Sequence, residues 1–103
     1  MKNKQEALDA LKTTTLIDGH YLVAGKPCAV GLLARLSGVP DDVLNFCDGN
    51  SIPRCPQLFQ PIEKKFGLHL GFLSMLQCIN DQCESPEKRH VAVTDYIKSL
   101  KEE

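Results

Sequence analysis

Hydrophobic positions recur along this chain at helical rather than strand spacing. Over residues 4 to 17, Ala7, Leu8, Leu11, Leu16 and Ile17 alternate with Lys, Gln, Glu and Asp, the pattern of an amphipathic helix. Thr13-Thr14-Thr15 weakens helix propensity toward its end, and Asp18-Gly19 supplies a stop. His20-Tyr21-Leu22-Val23 is β-prone and Ala24-Gly25-Lys26-Pro27 turns the chain, so residues 19 to 27 predict a small β-hairpin or an extended loop.

Pro27 suits the first position of a second helix, where its missing N–H leaves no bond unmade. Cys28, Ala29, Val30, Leu32, Leu33, Ala34 and Leu36 are apolar on nearly every face, which predicts a central, buried helix. Ser37-Gly38-Val39-Pro40 ends it, and Asp41-Asp42 place negative charge at the start of a third helix carrying Val43, Leu44, Phe46 and Cys47. Gly49, Asn50, Pro53 and Pro56 make residues 48 to 56 the longest loop. Leu58, Phe59, Ile62 and Phe66 line a helix begun or kinked at Pro61 and closed at Gly67. Leu70, Phe72, Leu73, Leu76 and Ile79 form another, ending near Asn80-Asp81. Ser85-Pro86-Glu87 has the order N-cap, N1 proline, acidic first turn, and Val93, Tyr96, Ile97 and Leu100 form the stripe of the last helix. The expected fold is mostly α: one compact domain over residues 1 to 103, with five to six short helices and a small hairpin near 19 to 27.

Size and composition agree with one core, since 103 residues is the length of an ordinary domain. Twelve basic and thirteen acidic residues give a formal charge of −1, so no global field gathers nucleic acid or an anionic membrane. No segment reaches the roughly 18 apolar residues of a spanning helix, and Met1-Lys2-Asn3-Lys4-Gln5-Glu6 is too polar to open a secretory signal, so the expected location is the cytoplasm. Five cysteines are an odd number, expected to persist there as thiols and mostly to pack as small hydrophobes, with Cys28 and Cys78 in buried helices and Cys47, Cys55 and Cys83 beside loops.

Two sets of residues invite a chemical reading. Cys28 stands at a helix N-terminus, where the dipole lowers a thiol pKa, and His20 upstream would be its base; no glycine-rich or Trp-bearing nucleophile signature surrounds it. Cys47, Cys55, Cys78 and Cys83 with His69 and His90 are the candidate metal ligands. Structural zinc favours pairs of the form C-x2–4-C, and only Cys78 and Cys83 approach that spacing, so neither a metal nor a cofactor is expected. Asp81, Glu84, Glu87 and Asp95 match no EF-hand or glycosidase pattern. Lys64-Lys65 and Lys88-Arg89-His90 lack interleaved aromatics, and the chain has no Trp, so they read as solvated helix faces and not as a nucleic-acid surface. No P-loop, G-x-G-x-x-G, G-x-S-x-G or H-E-x-x-H occurs.

The order Gly19-His20-Tyr21, Gly25-Lys26-Pro27-Cys28-Ala29-Val30-Gly31-Leu32-Leu33-Ala34, Ile79-Asn80-Asp81, then a C-terminal amphipathic helix resembles a family of small bacterial and phage proteins without known activity. That family carries a Gly-Trp turn, a Cys-x-x-Gly-Ala-Leu helix and a Trp-Asn-Asp element. Tyr21 and Ile79 stand where or near where it has Trp, and Leu32 replaces its Ala after the glycine. The resemblance implies a fold and no catalytic residue. It implies that Gly31 admits a close backbone and that Asn80-Asp81 bonds to the turn at Asp18-Gly19. The expected function is non-enzymatic: a binding protein acting on a macromolecular partner, most simply a protein, either as a small adaptor or as a phage-encoded inhibitor of a host or defence protein. Its expected contact residues are Ile52, Arg54 and Leu58, in or near the 48 to 56 loop. The alternative is a thiol-dependent enzyme or redox sensor using Cys28 with His20.

Overall fold

A computed structural model describes residues 1–102. The first helix, α1 (Lys4–Lys12), stops five residues short of the expected end. The threonine run is the reason: Thr14 Oγ1 donates to the Ala10 carbonyl at 2.7 Å, a side-chain bond that competes with helical continuation. Leu16 is still buried, but on an extended segment whose Ile17 N–H donates to the Pro27 carbonyl at 3.0 Å.

The hairpin is formed by β1 (Leu22–Val23) and β2 (Lys26–Pro27), antiparallel, with Leu22 opposite Pro27 and Val23 opposite Lys26. Its two-residue turn has positive φ at both Ala24 (51°) and Gly25 (79°), the twist that matches a tight hairpin. Pro27 therefore belongs to a strand and does not open the second helix, because its fixed φ suits extended backbone equally well. Helix α2 (Ala29–Leu36) starts two residues later with Cys28 as N-cap. Every residue from 29 to 34 is buried. Gly31 is required here: a Cβ at this position would lie 2.2 Å from the Tyr21 carbonyl oxygen, so the hairpin backbone rests directly on the helix.

Arg35 closes the end of α2 by donating to both carboxylate oxygens of Asp41 at 2.9 Å and to the Gly25 carbonyl at 3.1 Å. This joins α2, the hairpin turn and α3 (Asp41–Cys47). A single 3-10 turn (Ile52–Arg54) interrupts the following loop. Helix α4 (Pro56–Phe66) then begins at Pro56, keeps Pro61 inside it and ends at Gly67 with φ 66°. Helix α5 (Leu70–Gln82) and helix α6 (Pro86–Ser99) complete the chain, the last capped by Ser85 Oγ accepting from the Lys88 N–H at 3.2 Å.

All six helices and the hairpin contribute to one hydrophobic cluster, with α2 at its centre. Helix α1 lies against α6, where Lys4 Nζ donates to the Lys98 and Leu100 carbonyls at 2.7 and 2.6 Å, a cation at a helix C-terminus where the dipole favours it. Among the described residues no helix is long and apolar enough to cross a membrane.

Candidate functional site

The chemical features of the sequence converge on the joint between the 18 to 21 turn, the 48 to 53 loop and α5. Cys28 is fully buried beneath it. Its Sγ accepts from the Gly31 N–H at 3.3 Å and lies 3.4 Å from Gln77 Oε1, its own S–H donating. Burial pushes the thiol up to about 12, and the N–H bonds from Gly31 and Val30 pull it down by less. Helix-end activation loses to desolvation here. His20 does not serve Cys28 either: its Nδ1 meets Asp48 Oδ2 at 2.8 Å, while Asp48 Oδ1 accepts from the Tyr21 N–H at 3.1 Å. Burial raises the Asp48 carboxyl, but the bonds from His20, Tyr21 and Gly49 outweigh it and hold the group below its ordinary value. In place of the alternative Cys28–His20 pair stand a His20–Asp48 pair and a protected thiol.

Asn80 and Asp81 complete the joint, Asp81 at the turn itself and Asn80 on the segments that flank it. Asn80 is fully buried; its Oδ1 accepts from the Ala29 N–H at 3.0 Å and its Nδ2 donates to the Ile17 carbonyl at 2.8 Å. Asp81 Oδ1 accepts from the Gly19 N–H at 3.2 Å and Oδ2 from Gln77 Nε2 at 3.0 Å. The cleft over these groups holds about 420 Å³ and is lined in part by His20, Asp48, Ser74, Gln77 and Asp81. Each carboxylate uses one oxygen on a backbone N–H of the turn and the other on a side chain, so the arrangement acts first as a clasp between distant segments.

Arg89 corrects the reading of Lys88-Arg89-His90 as a solvated face. It is 4% exposed and donates to the Asn80, Leu16 and Cys83 carbonyls at 2.8, 3.3 and 2.8 Å, with Asp18 at 3.3 Å. His90 Nε2 meets the Leu11 carbonyl at 2.8 Å. A basic triplet at a helix start carries no mark of burial; the chain crossing at residues 16 to 18 creates the carbonyl cage that Arg89 fills.

Three further expectations change. Ile52 and Leu58 are buried, so they belong to the core and not to a contact surface; Arg54 is exposed. Cys78 is exposed and Cys47 and Cys55 are buried, the reverse of their expected placement. Cys78 follows the outer face of α5, while the loop between Cys47 and Cys55 folds both inward. There burial and the hydrogen-bonded neighbour Cys55 push the Cys47 thiol up to about 12. Among the described residues no three His, Cys, Asp or Glu side chains gather where they would hold a metal ion.

Outside the joint, one surface is apolar. Helix α5 buries Leu73, Leu76 and Asn80, which turns Phe72 and Met75 outward, 42% and 53% exposed. With His69, Gly71 and Tyr96 they line a hollow of about 370 Å³, and His69 stacks on Phe72 with ring centroids 6.3 Å apart. The signal was present in the sequence: α5 is apolar on more than one face, and although α6, α2 and α4 pack against it, Phe72 and Met75 stay exposed. No family model, curated protein or solved structure matches this chain.

Proposed function

We propose that this chain is a non-enzymatic binding protein that seats an apolar side chain of a partner protein in the hollow between α5 and α6. The observation that carries the reading is the pairing of exposed Phe72 and Met75 with Tyr96, side-chain types enriched at protein interfaces and out of place on a surface without a partner. Phe46 and Val23 are exposed on other elements, and Val91 lines a separate groove against residues 13 to 16. The hollow accommodates one anchoring side chain. Burial of Cys28 and the occupation of His20 by Asp48 argue against the thiol-based alternative. Inhibition of a host or defence protein, and descent from the small bacterial and phage family described above, are the specific forms this proposal takes.

The test compares immobilised wild-type chain with Phe72→Ala/Met75→Ala in the same native lysate. Both residues are exposed, so the variant should keep the wild-type circular dichroism spectrum. A protein bound by the wild type and weakened about tenfold or more by the variant supports the reading. A partner retained equally by both, or a concentration-dependent dimer that the substitutions abolish, overturns it.

A further inference from the structure

A second concave surface lies on the opposite side of α4 from the core. Its walls are the N-terminal segment and the outward face of α4, where Gln57, Gln60, Pro61 and Lys64 fall at helical spacing, and it encloses about 740 Å³. Three lysines line it, Lys2, Lys64 and Lys65, and no carboxylate does, in a chain whose acidic residues outnumber its basic ones. Lys65 is fixed in the wall, its Nζ 2.5 Å from Glu6 Oε2 and 2.6 Å from the Leu36 carbonyl. Lys2 and Lys64 are exposed and their ammonium groups have no partner among the described residues.

Pro61 adds a second feature. Lying inside α4, it has no N–H to give to the Gln57 carbonyl four residues earlier, so that carbonyl lacks its α-helical partner. The pyrrolidine ring sits over that carbonyl, so the groove presents two unpaired cations and the side-chain amides of Gln57 and Gln60. A polypeptide with carboxylate side chains complements all of these: carboxylates meet the lysines, and backbone N–H and C=O groups meet the amides of Gln57 and Gln60. A nucleic-acid strand satisfies the lysines alone, and the lining offers no aromatic ring on which bases would stack.

We infer that this groove is a docking site for an acidic peptide segment of a partner protein, separate from the apolar hollow and independent of it. The test titrates the 15N-labelled full chain with a capped peptide of glutamate and glycine, with a capped lysine and glycine peptide and an oligothymidylate as comparators, at low and at physiological salt. The glutamate peptide should shift the amides of Lys2, Gln57, Gln60 and Lys64. Its affinity should fall severalfold as salt rises and about tenfold in Lys2→Gln/Lys64→Gln, a variant whose spectrum elsewhere should match the wild type. Should that variant misfold, Lys64→Met alone is expected to weaken the peptide and leave the Phe72 and Met75 amides unmoved. Absence of shifts, shifts confined to other surfaces, or binding of the oligothymidylate as tight as that of the glutamate peptide would each overturn the inference.

Discussion

Replacing Arg89 by methionine preserves most of the side chain's apolar stem and removes the guanidinium from its cage. Three backbone carbonyls, those of Leu16, Asn80 and Cys83, then lose their donor. A hydrogen bond from a charged donor contributes about 1.5–3 kcal/mol, but the variant also no longer buries a charge, which offsets part of that loss. The expected net cost is about 3–5 kcal/mol, the low end of about 1–3 kcal/mol for each of the carbonyls left without a donor. Asp18 supplies little of this, because its side chain is 59% exposed; Asp18→Asn should cost less than ~1 kcal/mol. A domain of this size has about 5–15 kcal/mol in total, so Arg89→Met should remove a large fraction of it. Urea unfolding followed by far-ultraviolet circular dichroism reads the effect: with a slope of about 1–3 kcal/mol/M, the midpoint should fall by more than about 1 M with the slope unchanged. Equal losses in Arg89→Met and Asp18→Asn would refute the carbonyl-cage argument, as would a loss below ~1 kcal/mol in Arg89→Met.

Three other outcomes follow from contacts already described. Gly31→Ala brings a methyl group onto the Tyr21 carbonyl and should cost about 1–3 kcal/mol by overpacking; an unaltered melting temperature would show that the hairpin is free to lift away. An aromatic disulfide reagent applied to the native protein should modify Cys78 first and Cys83 more slowly, with Cys28, Cys47 and Cys55 reacting only on unfolding, and rapid native labelling of Cys28 would restore the thiol reading. Asp48 has a folded pKa below its ordinary value, so its contribution is fully present above the unfolded value and is lost as pH falls through the folded one. The stability gap between wild type and Asp48→Asn should accordingly be widest near neutral pH and close in strong acid, and a gap that widens below pH ~3 would contradict the assignment.

Local patterning carried the helices far better than it carried their surroundings. The apolar residues of α2 announced a central helix because no polar face was left to meet water, whereas residues 19 to 27 left hairpin and extended loop open, because Ala24 does not favour the positive φ that the tight turn gives it. Burial was legible only where it depended on the element itself. Arg89 owes its position to segments remote in sequence, so neither its type nor its neighbours distinguish it from a surface residue, and Cys47, Cys55 and Ile52 lie beside or within a loop whose inward fold local pattern does not specify. Phe72 shows the converse: it belongs to an apolar helix, yet the rotation set by Leu73, Leu76 and Asn80 turns it outward. Cys28 was legible as standing at a helix N-terminus and illegible as an acid, because the dipole effect is local and the desolvation that overrides it comes from the whole fold.

The contact between the first and last helices has a consequence for synthesis. Nine residues are too few for α1 to hold a helix alone in water, and its principal partner, α6, begins at Pro86. At a ribosomal rate of about 5–20 residues per second, α1 leaves the tunnel several seconds before the helix that covers it. Its apolar side is bare for that interval. Chaperones that favour short amphipathic segments should therefore engage the α1 segment of the nascent chain, and release should coincide with emergence of the segment bearing Arg89 and Ile97.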